Sequence, residues 1–105
     1  MREFETTSLS AQIVDENMEF TLVELSRVSG ASEEEITLWV AEGALEPKGA
    51  APQEWRFSGA SLRRVRTACR LTRDLQINAP GIALALDLLD EIEALRKRAG
   101  RQHDH

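Results

Sequence analysis

Five carboxylates, Glu33, Glu34, Glu35, Glu42 and Glu46, fall in a stretch that contains no Lys or Arg. Acid–base catalysis by carboxylates needs them enclosed at a substrate site, whereas these fall on predicted exposed faces, and no histidine precedes His103 to serve a serine as general base. What this cluster suits instead is electrostatic attraction of a basic surface. A second set, Arg63, Arg66, Arg70 and Arg73, recurs at i, i+3, i+7 and i+10. On a helix these four fall within an arc of about 80°. They read either as a solvated face paired with carboxylates such as Asp74 or as an anion or nucleic-acid contact. No aromatic interleaving or glycine-rich loop accompanies them. His103, Asp104 and His105 do not make a metal site, and the lone Cys69 sits in an apolar stripe as a structural thiol. There is no H-x-x-x-H, no cysteine pair and no phosphate-cradling loop. The chain is therefore expected to be no enzyme, with no cofactor and no small-molecule substrate.

The elements that carry the glutamates are legible from their caps. Thr21 is placed to cap a first helix with Leu22, Leu25 and Val28 at helical spacing. Gly30 follows where a reversal favours positive φ. Ser32 and Glu35 form an S-x-x-E capping box, and Glu33 and Glu34 suit the positive end of the helix dipole. Ile36, Trp39 and Val40 give this second helix its inner face, and Gly43 ends it. The pattern is helix-turn-helix, usually a DNA reader, but its second helix carries the wrong charge for phosphates.

After it, Ala44–Pro47 and Trp55–Phe57 are predicted to pair as a hairpin wing around a Gly49- and Pro52-containing loop. Trp55 and Phe57 are expected to close the core against Trp39. Ser58 caps a helix to about Leu75, with Leu62, Val65, Ala68, Cys69 and Thr72 inside. Asn78 caps the last helix, with Pro80 and Gly81 in its first turn. Its apolar positions, Leu84, Leu86, Leu88, Leu89, Ile92 and Leu95 among them, spread over about 200°, wider than one packed neighbour needs. A homodimer through these residues is expected. Ahead of the helices, Ser8–Val14 reads as a short strand with Ile13 and Val14 under the first helix. Met18 and Phe20 are expected to staple onto that helix.

The chain thus divides into an N-terminal extension (1–19), a helical domain (20–99) and a loose tail (100–105). Within the domain the wing spans about 44–57 and the last helix about 79–99. Residues 1–50 hold 11 acidic and 3 basic side chains, a balance of −8, against +3 for the remainder. Such an acidic half invites a basic partner and opposes direct DNA binding. No apolar run approaches the roughly 20 residues of a membrane span, and no secretory leader is present, so a cytoplasmic protein is expected.

The segments SGASEEEITLWVAEGALEP, EWRFSGASLRRVRTACRLTRDL and APGIALALDLLDEIEALR, in that order, resemble the chaperone-modulator family CbpM. That family is built like the N-terminal part of MerR-like winged-helix regulators. The resemblance covers roughly Phe20 to Arg98. It implies a mainly α, MerR-like winged helix-turn-helix with a short hairpin wing and a C-terminal dimerisation helix. It also implies a partner, the J-domain of a CbpA/DnaJ-like co-chaperone, whose Hsp70-stimulating and DNA-binding activities the family inhibits. Physical complementarity to a basic J-domain surface nominates Glu33, Glu34, Leu38, Glu42, Leu45 and Glu46 as contacts. The alternative is a MerR-family DNA-binding transcriptional regulator.

Overall fold

Thr21 stops a short extended segment and starts a helix. The computed structural model describes residues 17–103. Strand β1 (Glu19–Phe20) leads into helix α1 (Leu22–Ser29) and helix α2 (Glu33–Ala41). A 3-10 turn (Pro52–Glu54) precedes strand β2 (Phe57–Ser58), and helices α3 (Gly59–Leu75) and α4 (Ala79–His103) follow.

Both short helices begin with a reciprocal cap. Ser32 Oγ accepts from the Glu35 amide at 3.0 Å while Glu35 Oε1 accepts from the Ser32 amide at 2.9 Å. Thr21 and Glu24 repeat the arrangement on α1, at 3.1 and 2.8 Å. Two otherwise orphaned donors are satisfied each time, which matters for helices of only eight and nine residues. Gly30 turns the chain at φ +84°, and Ser26 Oγ donates to the Ala31 carbonyl at 2.6 Å to tighten the corner.

The wing differs from the expected hairpin. Ala44–Pro47 is not a strand; only Lys48 and Arg56 bridge, through Lys48 N–H to Arg56 O at 3.0 Å and Arg56 N–H to Lys48 O at 2.9 Å. A longer ladder between these arms does not form: Phe57 and Ser58 are paired with β1, and Pro52 opens the 3-10 turn that precedes Trp55. β2 pairs antiparallel with β1 instead, Phe20 opposite Phe57 and Glu19 opposite Ser58. Between the arms, Gly49 adopts φ +115°, and a Cβ there would lie 2.6 Å from the Glu54 carbonyl oxygen. That loop closes only on glycine.

The core gathers Phe57, Leu25, Ile36, Leu62, Ile82 and Val65, all fully buried. Each contributes roughly 1.5–3 kcal/mol of burial. Trp39 is buried in the same cluster and Trp55 packs partly buried against it, meeting Phe57 edge-on at 5.8 Å between ring centroids. The expected aromatic closure is present. Of the helically spaced Leu22, Leu25 and Val28, only Leu25 is fully buried and Val28 is exposed. Met18 is also exposed, while Phe20 is buried in the core. The strand foreseen over Ser8–Val14 lies outside the described residues, as do Asp104 and His105.

α3 ends at Gln76, whose left-handed φ of 55° reverses the chain while its amide donates to the Thr72 carbonyl at 2.9 Å. Asn78 Oδ1 then accepts from the Gly81 amide at 2.9 Å and opens α4. The first turns of α4 bury Ile82 and Leu86 against α2 and α3. From Asp87 to Arg101, about 22 Å of helix, every residue is exposed, although its first turns still border α3 through Arg64. The helix continues to His103 where a loose tail was expected after residue 99, since the Ala, Arg and Gln around Gly100 favour helix.

Candidate partner-binding surface

α2 turns half its circumference to solvent, as Glu33, Glu34, Thr37, Leu38, Ala41 and Glu42. Leu38 is 56% exposed at the middle of this face. At the N-terminal end, Leu22 from α1 joins Glu33, Glu34, Thr37 and Leu38 to line a shallow groove. The helix has no basic residue in its last turn and is capped at its C-terminus by Glu42. Negative charge there opposes the helix dipole.

The other nominated contacts do not join this face. Leu45 is only 3% exposed, because Gly43 reverses the chain and the Ala44 amide donates to the Trp39 carbonyl at 2.9 Å, turning Ala44 and Leu45 inward. It is a core residue and not a surface anchor. Glu46 is exposed but lines a separate polar groove with Ser58, Ser61, Arg64, Asp87 and Asp90. On α4, Leu86 is 3% exposed and therefore unavailable to a second subunit, being in the part of the helix packed on the body. Leu84, Leu88, Leu89, Ile92 and Leu95 are 44–60% exposed and remain a continuous apolar strip.

The arginine series is also divided by the fold. Arg73 Nη2 donates to the Gly30 carbonyl at 3.1 Å, fastening the corner between α1 and α2. Arg70 leans on Thr67 Oγ1 at 3.5 Å, Arg66 is half-buried, and Arg63 is exposed beside the α3–α4 groove. The arginine that organises most is Arg64, which the spacing argument passed over. Its Nε donates to the Ala44 carbonyl at 3.0 Å while Nη1 reaches Asp90 and Nη2 lies 3.9 Å from Asp87. Three segments meet on one guanidinium. The only sequence signal is the i, i+3 spacing of Asp87 and Asp90, which says nothing of a partner so far away in the chain. Burial pushes the Cys69 thiol up, Arg73 opposing and Glu35 adding to the shift, as befits a structural thiol.

A model of the MerR helix-turn-helix family of regulatory proteins matches residues 5–101. That span takes in most of the N-terminal segment as well as the helical domain. A chaperone modulatory protein CbpM of Coxiella burnetii (strain Dugway 5J108-111) is 41% identical over 86 residues, covering 82% of this chain and 81% of that protein. One from Salmonella paratyphi B (strain ATCC BAA-1250 / SPB7) is 37% identical over 78 residues, 74% and 77% of the two chains. The chain belongs to the CbpM chaperone-modulator family, on a MerR-like helix-turn-helix fold.

The capped helix-turn-helix and the long final helix follow the mainly α architecture that the resemblance implied, with a two-stranded sheet that joins Phe57–Ser58 to Glu19–Phe20. The family names denote a modulator and a regulator, neither of them an enzyme. No helix among the described residues is long and apolar enough to cross a membrane.

Proposed function

We propose that this chain binds the J-domain of a CbpA/DnaJ-like co-chaperone and inhibits both its Hsp70-stimulating and its DNA-binding activities, in the cytoplasm. The observation that carries the proposal is the exposed face of α2. Where a DNA reader places cations, this helix offers Glu33, Glu34 and Glu42 around Leu38, with no Lys or Arg on it. A basic J-domain surface is complementary to such a face, and a phosphate backbone is repelled by it. Names of the CbpM relatives support a protein partner drawn from the chaperone system.

The proposal includes a homodimer through the outer part of α4. Its strip of Leu84, Leu88, Leu89, Ile92 and Leu95 has no cover among the described residues, and an isolated helix of this length is marginal in water. Charge inverts along it, Asp87, Asp90, Glu91 and Glu93 preceding Arg96, Lys97, Arg98 and Arg101. Antiparallel copies would set the acidic half of each against the basic half of the other.

The test is calorimetric titration of the full chain into a purified CbpA-like J-domain, with the Hsp70 ATPase as the functional readout. Saturable binding that suppresses the stimulated ATPase is expected, with affinity falling as salt rises from about 50 to 500 mM. The alternative is a MerR-type regulator using Arg66 and Arg70, which make no ion pair among the described residues. A sequence-selective gel shift at low salt, abolished by Arg66→Glu and absent J-domain binding, would establish that reading and overturn ours.

A further inference from the structure

We infer that α2 recognises one helix of its partner through an acid–apolar–acid line, matched by two basic residues two to three turns apart with an aliphatic residue between them. The inference rests on the acidic-face reading and specifies what that face accepts.

Residue positions on α2 fix the pattern. Taking 100° per residue, the exposed residues Glu33 to Glu42 cover about 180°, and the two end carboxylates stand at opposite edges of that half. Axially they are about 13.5 Å apart. Leu38 and Ala41 lie between them, and the Leu22 side of the groove adjoins the Glu33–Glu34 end. The array therefore runs obliquely along the helix with its apolar part in the middle. Glu42 adds an independent reason for a cation at the far end. It sits where the helix dipole disfavours an anion, and no basic residue of the last turn offsets it.

An occupant of this line needs cations at both ends and an apolar centre. Duplex DNA supplies neither. An extended peptide adding to a sheet edge finds none on α2, whose backbone groups bond within the helix. A second helix has the same rise per residue and packs its side-chain ridges into the groove beside Leu22 and Leu38. Basic residues at i and i+7 are about 10.5 Å apart and at i and i+11 about 16.5 Å, bracketing the axial separation of the two carboxylates, and long Lys or Arg side chains span the lateral offset that the half-circumference adds. An aliphatic residue at i+3 or i+4 then falls on Leu38.

The experiment uses the full chain and two probes, a purified CbpA-like J-domain and an alanine-based helical peptide. The peptide carries two arginines seven residues apart with a leucine three after the first. Its control moves the second arginine to the opposite face. Leu38→Ser is expected to weaken both probes about tenfold, through loss of one half-buried leucine contact. Glu42→Lys is expected to weaken them roughly three- to tenfold, through repulsion at one end only. Both positions are exposed, and circular dichroism checks that the variants fold. A J-domain that binds wild type and both variants alike would overturn this inference while leaving the proposed function standing. Peptide binding with the stated spacing preference, without any J-domain binding, would establish the surface and remove the proposed partner. Equal binding of the peptide and its control would reduce the face to unspecific charge and overturn the inference.

Discussion

At the scale of single residues, the most informative side chain is one that spacing did not single out. Arg64 makes two kinds of contact, and their worth differs. The carboxylates of Asp87 and Asp90 are largely in solvent, so the ion pairs are screened and each is worth about 0.2–1 kcal/mol. The bond from Nε to the Ala44 carbonyl is partly buried and involves a charged donor, for which about 1.5–3 kcal/mol is typical. Arg64→Ala is therefore expected to cost about 2 kcal/mol in chemical denaturation, and Asp90→Asn, which removes the closer ion pair, less than about 1 kcal/mol. Equal losses for the two would mean that the ion pair, and not the carbonyl bond, carries the contact. Leu45 teaches a complementary lesson. Complementarity to a basic surface nominated it as an apolar anchor, yet the reversal at Gly43 takes the next two side chains into the core.

At the scale of elements, local chemistry was the legible part. The caps at Thr21, Ser32, Ser58 and Asn78, the corner at Gly30 and the helices they delimit stand where the sequence puts them, because a cap is satisfied within three residues. Ser32→Ala should confirm how much rests there. Losing a capping-box acceptor on a nine-residue helix is expected to cost about 1 kcal/mol, read as a fall in Tm of roughly 4–8 °C. The acidic face was legible for the same reason, since helical periodicity alone sorts Glu33, Glu34, Leu38 and Glu42 outward. What was not legible was choice of partner at a distance. Trp55–Phe57 reads as a strand in either arrangement, and nothing local says whether it pairs with the preceding arm or with Glu19–Phe20. Similarly, the 200° apolar arc of the last helix is real, but only packing shows that Leu86 serves the body while Leu88 faces away.

At the scale of the whole molecule, two surfaces point in different directions, an acidic face on α2 and an apolar strip on the outer turns of α4. Leu88→Glu is expected to convert the proposed dimer to a monomer in light scattering at tens of micromolar, because burying an unpaired carboxylate in a seam costs several kcal/mol. Unmodified protein with the mass of one chain would remove the dimer from the proposal. Circular dichroism should show the variant keeping its folded body, since Leu88 is exposed there. The pairing of β1 with β2 has a further consequence for how the chain acquires this shape. Phe20 and Phe57 are brought together across the entire helix-turn-helix, a loop whose closure entropy must be met before the contact returns anything. A fragment beginning at Thr21 would keep every cap and every turn but uncover Phe57, which is fully buried in the intact chain. The motif is therefore not a portable peptide. Its folding is non-local, slower than its helix content suggests, and N-terminal trimming past Glu19 should release α1 and α2 to proteases together, as one cooperative unit.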